Sequence, residues 1–162
     1  MSLSRREAIG ARGLVRSFRV ADLAAAVRDR LPWVDFAYLL GSAQDGRLLA
    51  GADVDVAVYL AAAALPANWD RIAAVMSTVE TVCPPAVCDP GILNTAGVVY
   101  RFEALKGRLL FRRQGREDKH AEFYSLTCRE YEDYMASLWR ARLCRSPGRR
   151  APTSDTDERA CG

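Results

Sequence analysis

The chain has 162 residues, 50% of them hydrophobic and 27% charged, with a formal net charge of +3. That length suits one domain with a real core, and the composition is that of an ordinary globular protein. So slight a positive charge gives no reason to expect nucleic acid or a membrane as a partner.

The polar, basic stretch 1–13 has no apolar run of the kind a signal peptide needs. Nowhere does the sequence approach the roughly 18 apolar residues of a membrane span. The five cysteines (Cys83, Cys88, Cys128, Cys144 and Cys161) are odd in number and contain no Cys-x-x-Cys pair. They read as reduced thiols, and the expected location is the cytoplasm. With His120 the single histidine, neither a zinc site nor a histidine-based triad is expected. His120 itself is expected at the surface.

Residues 1–18 are rich in arginine without a period and read as a loosely held arm. In 21–31, Leu23, Val27 and Leu31 recur every fourth residue, which predicts an amphipathic helix that Pro32 ends. Phe36–Leu40 is an apolar run closed by Gly41-Ser42 and predicts a buried strand with a tight turn. Residues 43–52 read as a loop with at most a helical turn. Asp53–Leu60 predicts a second strand. Asn68 is placed to cap a helix with Trp69, Ile72, Met76 and Val79 on one face.

Pro84-Pro85 breaks the chain. Ala86–Leu93 predicts a third strand, which Pro90 assigns to an edge or a bulge. Thr95–Leu105 predicts a helix stopped by Gly107, Arg108–Arg112 a short strand, and Glu117–Leu143 a long helix. The basic stretch Arg112–Arg116 reads as a solvated turn. Residues 145–162 read as a disordered tail, leaving 19–144 as the folded domain. The element order implies an α/β (α+β) fold with one small mixed sheet flanked by helices.

The chemistry concentrates between Leu39 and Val58. Successive strand residues i and i+2 share a face, so Asp53 and Asp55 aim two carboxylates at one point, with Val54 buried opposite. Two such charges repel unless a cation neutralises them, and an oxygen-only site of this kind suits Mg²⁺. Gly41 lets the backbone approach an incoming group, and Ser42 offers a hydroxyl and an N–H to phosphate oxygens. A two-metal site wants a third carboxylate on a neighbouring strand. Asp89 is the candidate; Glu80 on the preceding helix and Asp45 in the loop rank below it.

Gly41-Ser42, the intervening segment, Asp53-x-Asp55 and a later Asp89 together resemble the signature of the minimal nucleotidyltransferases (MNT) of the polymerase-β superfamily. Leu93-Asn94, Gly107-Arg108-Leu109 and Glu132-Asp133-Tyr134 are similar to flanking features of that family, and the resemblance covers about residues 20–140. Where many members have Ala-Arg-Gly after Gly-Ser, this chain has Gln44-Asp45-Gly46; Gly46 matches, and Arg47 follows one place later.

The resemblance implies a polymerase-β-like fold and catalysis by Asp53, Asp55 and Asp89, with Mg²⁺ held by the same three. It implies nucleotide binding by Gly41, Ser42, Gly46 and Arg47, with ATP as substrate. Short members of the family are antitoxins that transfer AMP to a tyrosine of a HEPN ribonuclease toxin, which would be the partner here. Two alternatives remain: a degenerate antitoxin that acts by binding alone, and a small-molecule, aminoglycoside-type nucleotidyltransferase.

Overall fold

A computed structural model describes residues 15–49 and 51–144. Six strands and four α-helices follow one another in these segments. They are β1 (Val15–Ser17), α1 (Val20–Arg30), β2 (Val34–Leu39), β3 (Arg47–Leu49), β4 (Val54–Leu60), α2 (Trp69–Val82), β5 (Cys88–Ile92), α3 (Val98–Lys106), β6 (Arg108–Arg112) and α4 (Glu117–Cys144). A 3₁₀ turn at Gly41–Asp45 joins β2 to β3. None of these helices is long and apolar enough to cross a membrane.

The main sheet has the order β5-β4-β2-β6. β2 runs antiparallel to both β4 and β6, while β4 and β5 are parallel. Parallel neighbours need a long crossover, and α2 supplies it. β5 is an edge strand, which accommodates Pro90.

The alternation of β4 sorts the layers. Val54, Val56, Val58 and Leu60 pack with Leu23 and Val27 of α1 and Val75 and Val79 of α2 in the larger core. The opposite face carries Phe36, Tyr38 and Ala57, which pack with Leu93, Ala104 of α3 and Phe123 of α4. Asp55 shares the parity of Ala57, so the carboxylates open on this second face. α3 is fastened to α4 by the stacked rings of Phe102 and Tyr131, 3.7 Å apart, and by Arg101 to Glu130 at 2.5 Å.

Several local expectations are corrected. The end of the presumed arm is a strand: Val15–Ser17 pairs with Arg47–Leu49, itself inside a segment expected as loop. Each strand has only three residues, too short for an alternation to show. The rest of the arm, 1–14, and the tail, 145–162, lie outside the described residues. Asn68 does cap α2, its side chain accepting from the Arg71 N–H at 3.0 Å. Trp69, however, is 71% exposed, because the inward stripe of α2 is Val75, Thr78 and Val79, beyond its first turn. α3 begins at Val98 rather than Thr95, after a turn that ends at Gly97.

The basic stretch after β6 is not a solvated turn. Arg113 donates to the carbonyls of Val34, Arg28 and Leu31, and Arg116 Nε donates to the buried Asp35 at 3.0 Å. Nor does His120 lie free at the surface. It is half-buried, with Nε2 2.6 Å from the hydroxyl of buried Tyr38. Burial lowers its pKa, and Arg112 lowers it further.

Candidate functional site

Parallel register sets Asp55 of β4 directly beside Asp89 of β5. Asp53 precedes the strand on the same face as Asp55, and Val54 between them is fully buried on the other side. Asp55 is half-buried, while Asp53 and Asp89 are exposed. Burial raises the Asp55 pKa, and the neighbouring charges of Asp89 and then Asp53 raise it further. All three carboxylates therefore act electrostatically at one place.

Gly41 stands across from this pair. It adopts φ +66°, and a Cβ there would come within 2.8 Å of Asp55 Oδ2. The Leu40 N–H donates to the Asp55 carbonyl at 2.9 Å, pinning the turn to the strand. Ser42 follows and is exposed. Gly46 is buried at the end of the turn with φ +80°. Its N–H donates to the Ala43 carbonyl, and its own carbonyl accepts from the Phe18 N–H. Its place is to close the turn. Arg47 is exposed and lies 3.8 Å from Asp45.

One residue near the turn was quoted only within a flanking feature and was given no role in the site. Arg108, the first residue of β6, is paired in register with Leu39, and its Nη1 donates to the Gln44 carbonyl at 3.0 Å. It brings a guanidinium to the turn whose own sequence lacks the arginine. Only the β2–β6 pairing reveals this, since the two residues are far apart in the chain. Asn94 also acquires a role. Its side chain accepts from the Leu60 N–H and donates to the Leu60 carbonyl, tying the connection after β5 to the end of β4.

Beside Asp53 lies a cleft of about 240 Å³ lined by Leu48, Leu49, Pro85, Ala86 and Val87. Glu80, ranked below Asp89, accepts from the Cys88 N–H at 3.2 Å and so supports the start of β5 instead of facing the carboxylates. Cys83 and Cys88 are buried, and burial pushes their thiols up to about 11 and about 12.

Among the described residues, no three His, Cys, Asp or Glu side chains converge closely enough to hold an ion as they stand. The chemistry of the set nonetheless fits a hard divalent cation. It is all oxygen, and burial, then the charges of Asp89 and Asp53, disfavour the charged form of Asp55, an effect a bound cation would oppose.

This arrangement of sheet and helices is a fold found in solved toxin–antitoxin structures. The chain shares its fold with a chain of each of three such structures. One, a toxin–antitoxin with AMP-PNP, aligns with a TM-score of 0.61 at 18% identity over 76% of this chain and 94% of that chain. A second is the tri-AMPylated Shewanella oneidensis HEPN toxin in complex with MNT antitoxin, with a TM-score of 0.56 at 18% identity over 75% and 91%. The third, MntA–HepT, gives 0.53 at 18% identity over 75% and 92%. No family model matches the chain, and no curated protein is significantly similar to it in sequence.

Proposed function

We propose that this chain is a Mg²⁺-dependent nucleotidyltransferase antitoxin that moves AMP from ATP to a tyrosine of a HEPN-domain ribonuclease toxin and so silences it. The observation that carries this reading is the register of Asp55 against Asp89, facing the Gly41-Ser42 turn. The shared fold supports it: one relative was solved with AMP-PNP and another with an AMPylated HEPN toxin. Free thiols at Cys83, Cys88 and Cys128 suit a reducing compartment such as the cytoplasm.

The division of labour follows from position. Gly41 and Ser42 hold the terminal phosphates through backbone N–H and hydroxyl, with Gly46 closing the turn. Arg108 and Arg47 neutralise phosphate charge from either side of it. Asp53, Asp55 and Asp89 would hold Mg²⁺, which when bound neutralises charge on the transferring phosphate and aligns the displacement. Asp89, exposed on the neighbouring strand, takes the proton of the acceptor hydroxyl. The apolar cleft beside Asp53 suits a nucleobase.

The test is intact-mass spectrometry of the HEPN partner after incubation with this chain, Mg²⁺ and ATP. AMP added by the wild type and lost in Asp53→Asn/Asp55→Asn is the expected result. Full transfer by the double variant would sink the assignment. A second reading, neutralisation by contact alone, is motivated by Gln44-Asp45-Gly46 after Gly-Ser, which lacks the arginine that many members carry there. Protection of cells by the double variant would select it.

A further inference from the structure

Tyr100 of α3 lies on the sheet at the carboxylate face. A Cβ at Gly91 would overlap its hydroxyl oxygen and its Cζ, so glycine at this position is what lets the phenol reach the strand. Gly91 lies two residues beyond Asp89 and shares its face. It pairs with Ala57 as Asp89 pairs with Asp55. The strip beyond the carboxylates is thus two small residues, Gly91 and Ala57, with the phenol across it. At about 3.3 Å of rise per residue, the two-residue step along β5 separates Gly91, on which the phenol rests, from Asp89 by roughly 7 Å at the backbone. The Asp89 carboxylate and the phenol thus sit on one face of β5. Tyr100 as a residue is 36% exposed, and Asp89 and Asp55 act on its phenol electrostatically; burial first, then those charges, raise its pKa.

We propose that Tyr100 is an acceptor in its own right, so that the chain adenylylates itself at this hydroxyl. The proposal rests on the nucleotidyltransferase reading above and deepens it. Tyr100 Oη attacks the α-phosphorus of ATP. The Oη–P bond forms, the bond from the α-phosphorus to the bridging oxygen breaks, and pyrophosphate leaves. The phenolic proton passes to the Asp89 carboxylate. No other reactant is needed. The modified tyrosine carries its AMP over Gly91 and Ala57, the strip that an incoming acceptor must cross, so the reaction limits later transfer to a partner.

The test uses the full chain with Mg²⁺ and ATP, followed by intact-mass and fragment spectrometry, with a parallel incubation that includes the HEPN partner. The expected result is one AMP on the chain, located on Tyr100, absent from Tyr100→Phe and from Asp53→Asn/Asp55→Asn. Its rate per molecule should not depend on protein concentration. Gly91→Ala, which displaces the phenol without removing its hydroxyl, should slow the reaction at least tenfold. AMP on the partner with none on the chain overturns self-modification and leaves the nucleotidyltransferase reading intact. AMP on the chain that persists in Tyr100→Phe also overturns it. Absence of AMP from both proteins overturns both readings.

Discussion

Gly41→Ala separates the two demands made on the turn, stability and chemistry. Gly41 sits at φ +66°, where an L-residue costs about 1–2 kcal/mol. Its new Cβ would meet only Asp55 Oδ2, at 2.8 Å, and a carboxylate can swing aside. The stability loss therefore stays near the backbone cost, a fall in Tm of about 3–8 °C for a chain of this size. The swing moves the carboxylate that faces Asp89, and a misplacement of about 1 Å can cost on the order of 100-fold in rate. Gly46→Ala is the control. At φ +80° it carries the same backbone cost, but its Cβ would meet the Phe18 carbonyl at 2.6 Å. That oxygen is fixed backbone, and its residue's N–H donates to the Gly46 carbonyl at 2.9 Å. Losing that bond adds about 1 kcal/mol. Gly46→Ala should show the larger fall in Tm and the smaller fall in transfer rate. Thermal melts and initial rates of AMP transfer at a temperature where both variants are folded decide it. A Gly41→Ala enzyme within threefold of the wild-type rate would refute the placement of Asp55 in the chemistry.

Arg108→Ala should raise the KM for ATP about 10–100-fold, the worth of a charged hydrogen bond to phosphate, while shifting Tm by no more than a degree or two; titration of initial rate against ATP checks this. Arg113→Ala removes a guanidinium shared by three carbonyls and should cost about 2–4 kcal/mol, a Tm fall of roughly 5–15 °C, seen by calorimetry with no change in KM. The lowered pKa of His120 gives a pH dependence whose sign is fixed. The unfolded chain binds this proton more readily, so stability falls as pH drops through the unfolded value of about 6.5. Melts at pH 7.5 and 5.5 should differ more in the wild type than in His120→Gln.

The sheet and the acidic site were legible because both rest on short-range rules. Alternation in 54–60 fixed which way Asp55 points, and Gly41-Ser42 marked the turn opposite. Arg108–Arg112 ended where its composition changes. Features that depend on pairing across the chain stayed hidden. Nothing local in Val15–Ser17 or Arg47–Leu49 signals that each completes the other. Arg108 reaches the turn only through its register with Leu39. Arg113, Arg116 and His120 looked like surface groups because their partners, backbone carbonyls of 28–34, Asp35 and Tyr38, lie some eighty residues earlier. Trp69 misled for the opposite reason, since helical period identifies a stripe but not where along it the sheet ends.

The electrostatics of Asp55 yield a test of Mg²⁺ binding that needs no partner and no turnover. Its folded pKa is raised by burial and by the charges of Asp89 and Asp53. A carboxyl whose pKa is raised on folding binds its proton more tightly in the folded chain, so its ionisation costs stability once pH rises above the unfolded value of about 3.9. At neutral pH the ionised cluster is thus a local strain that a divalent cation would relieve. Mg²⁺ at 100 times its Kd should stabilise the fold by about 2.7 kcal/mol, raising Tm by roughly 5–11 °C. Asp55→Asn removes one of the repelling charges, so it should melt higher than the wild type without Mg²⁺ and respond less to its addition. Both arms share one cause and must move together. An Asp55→Asn chain less stable than the wild type without Mg²⁺, or as responsive to it, would mean that the three carboxylates do not form a cation site.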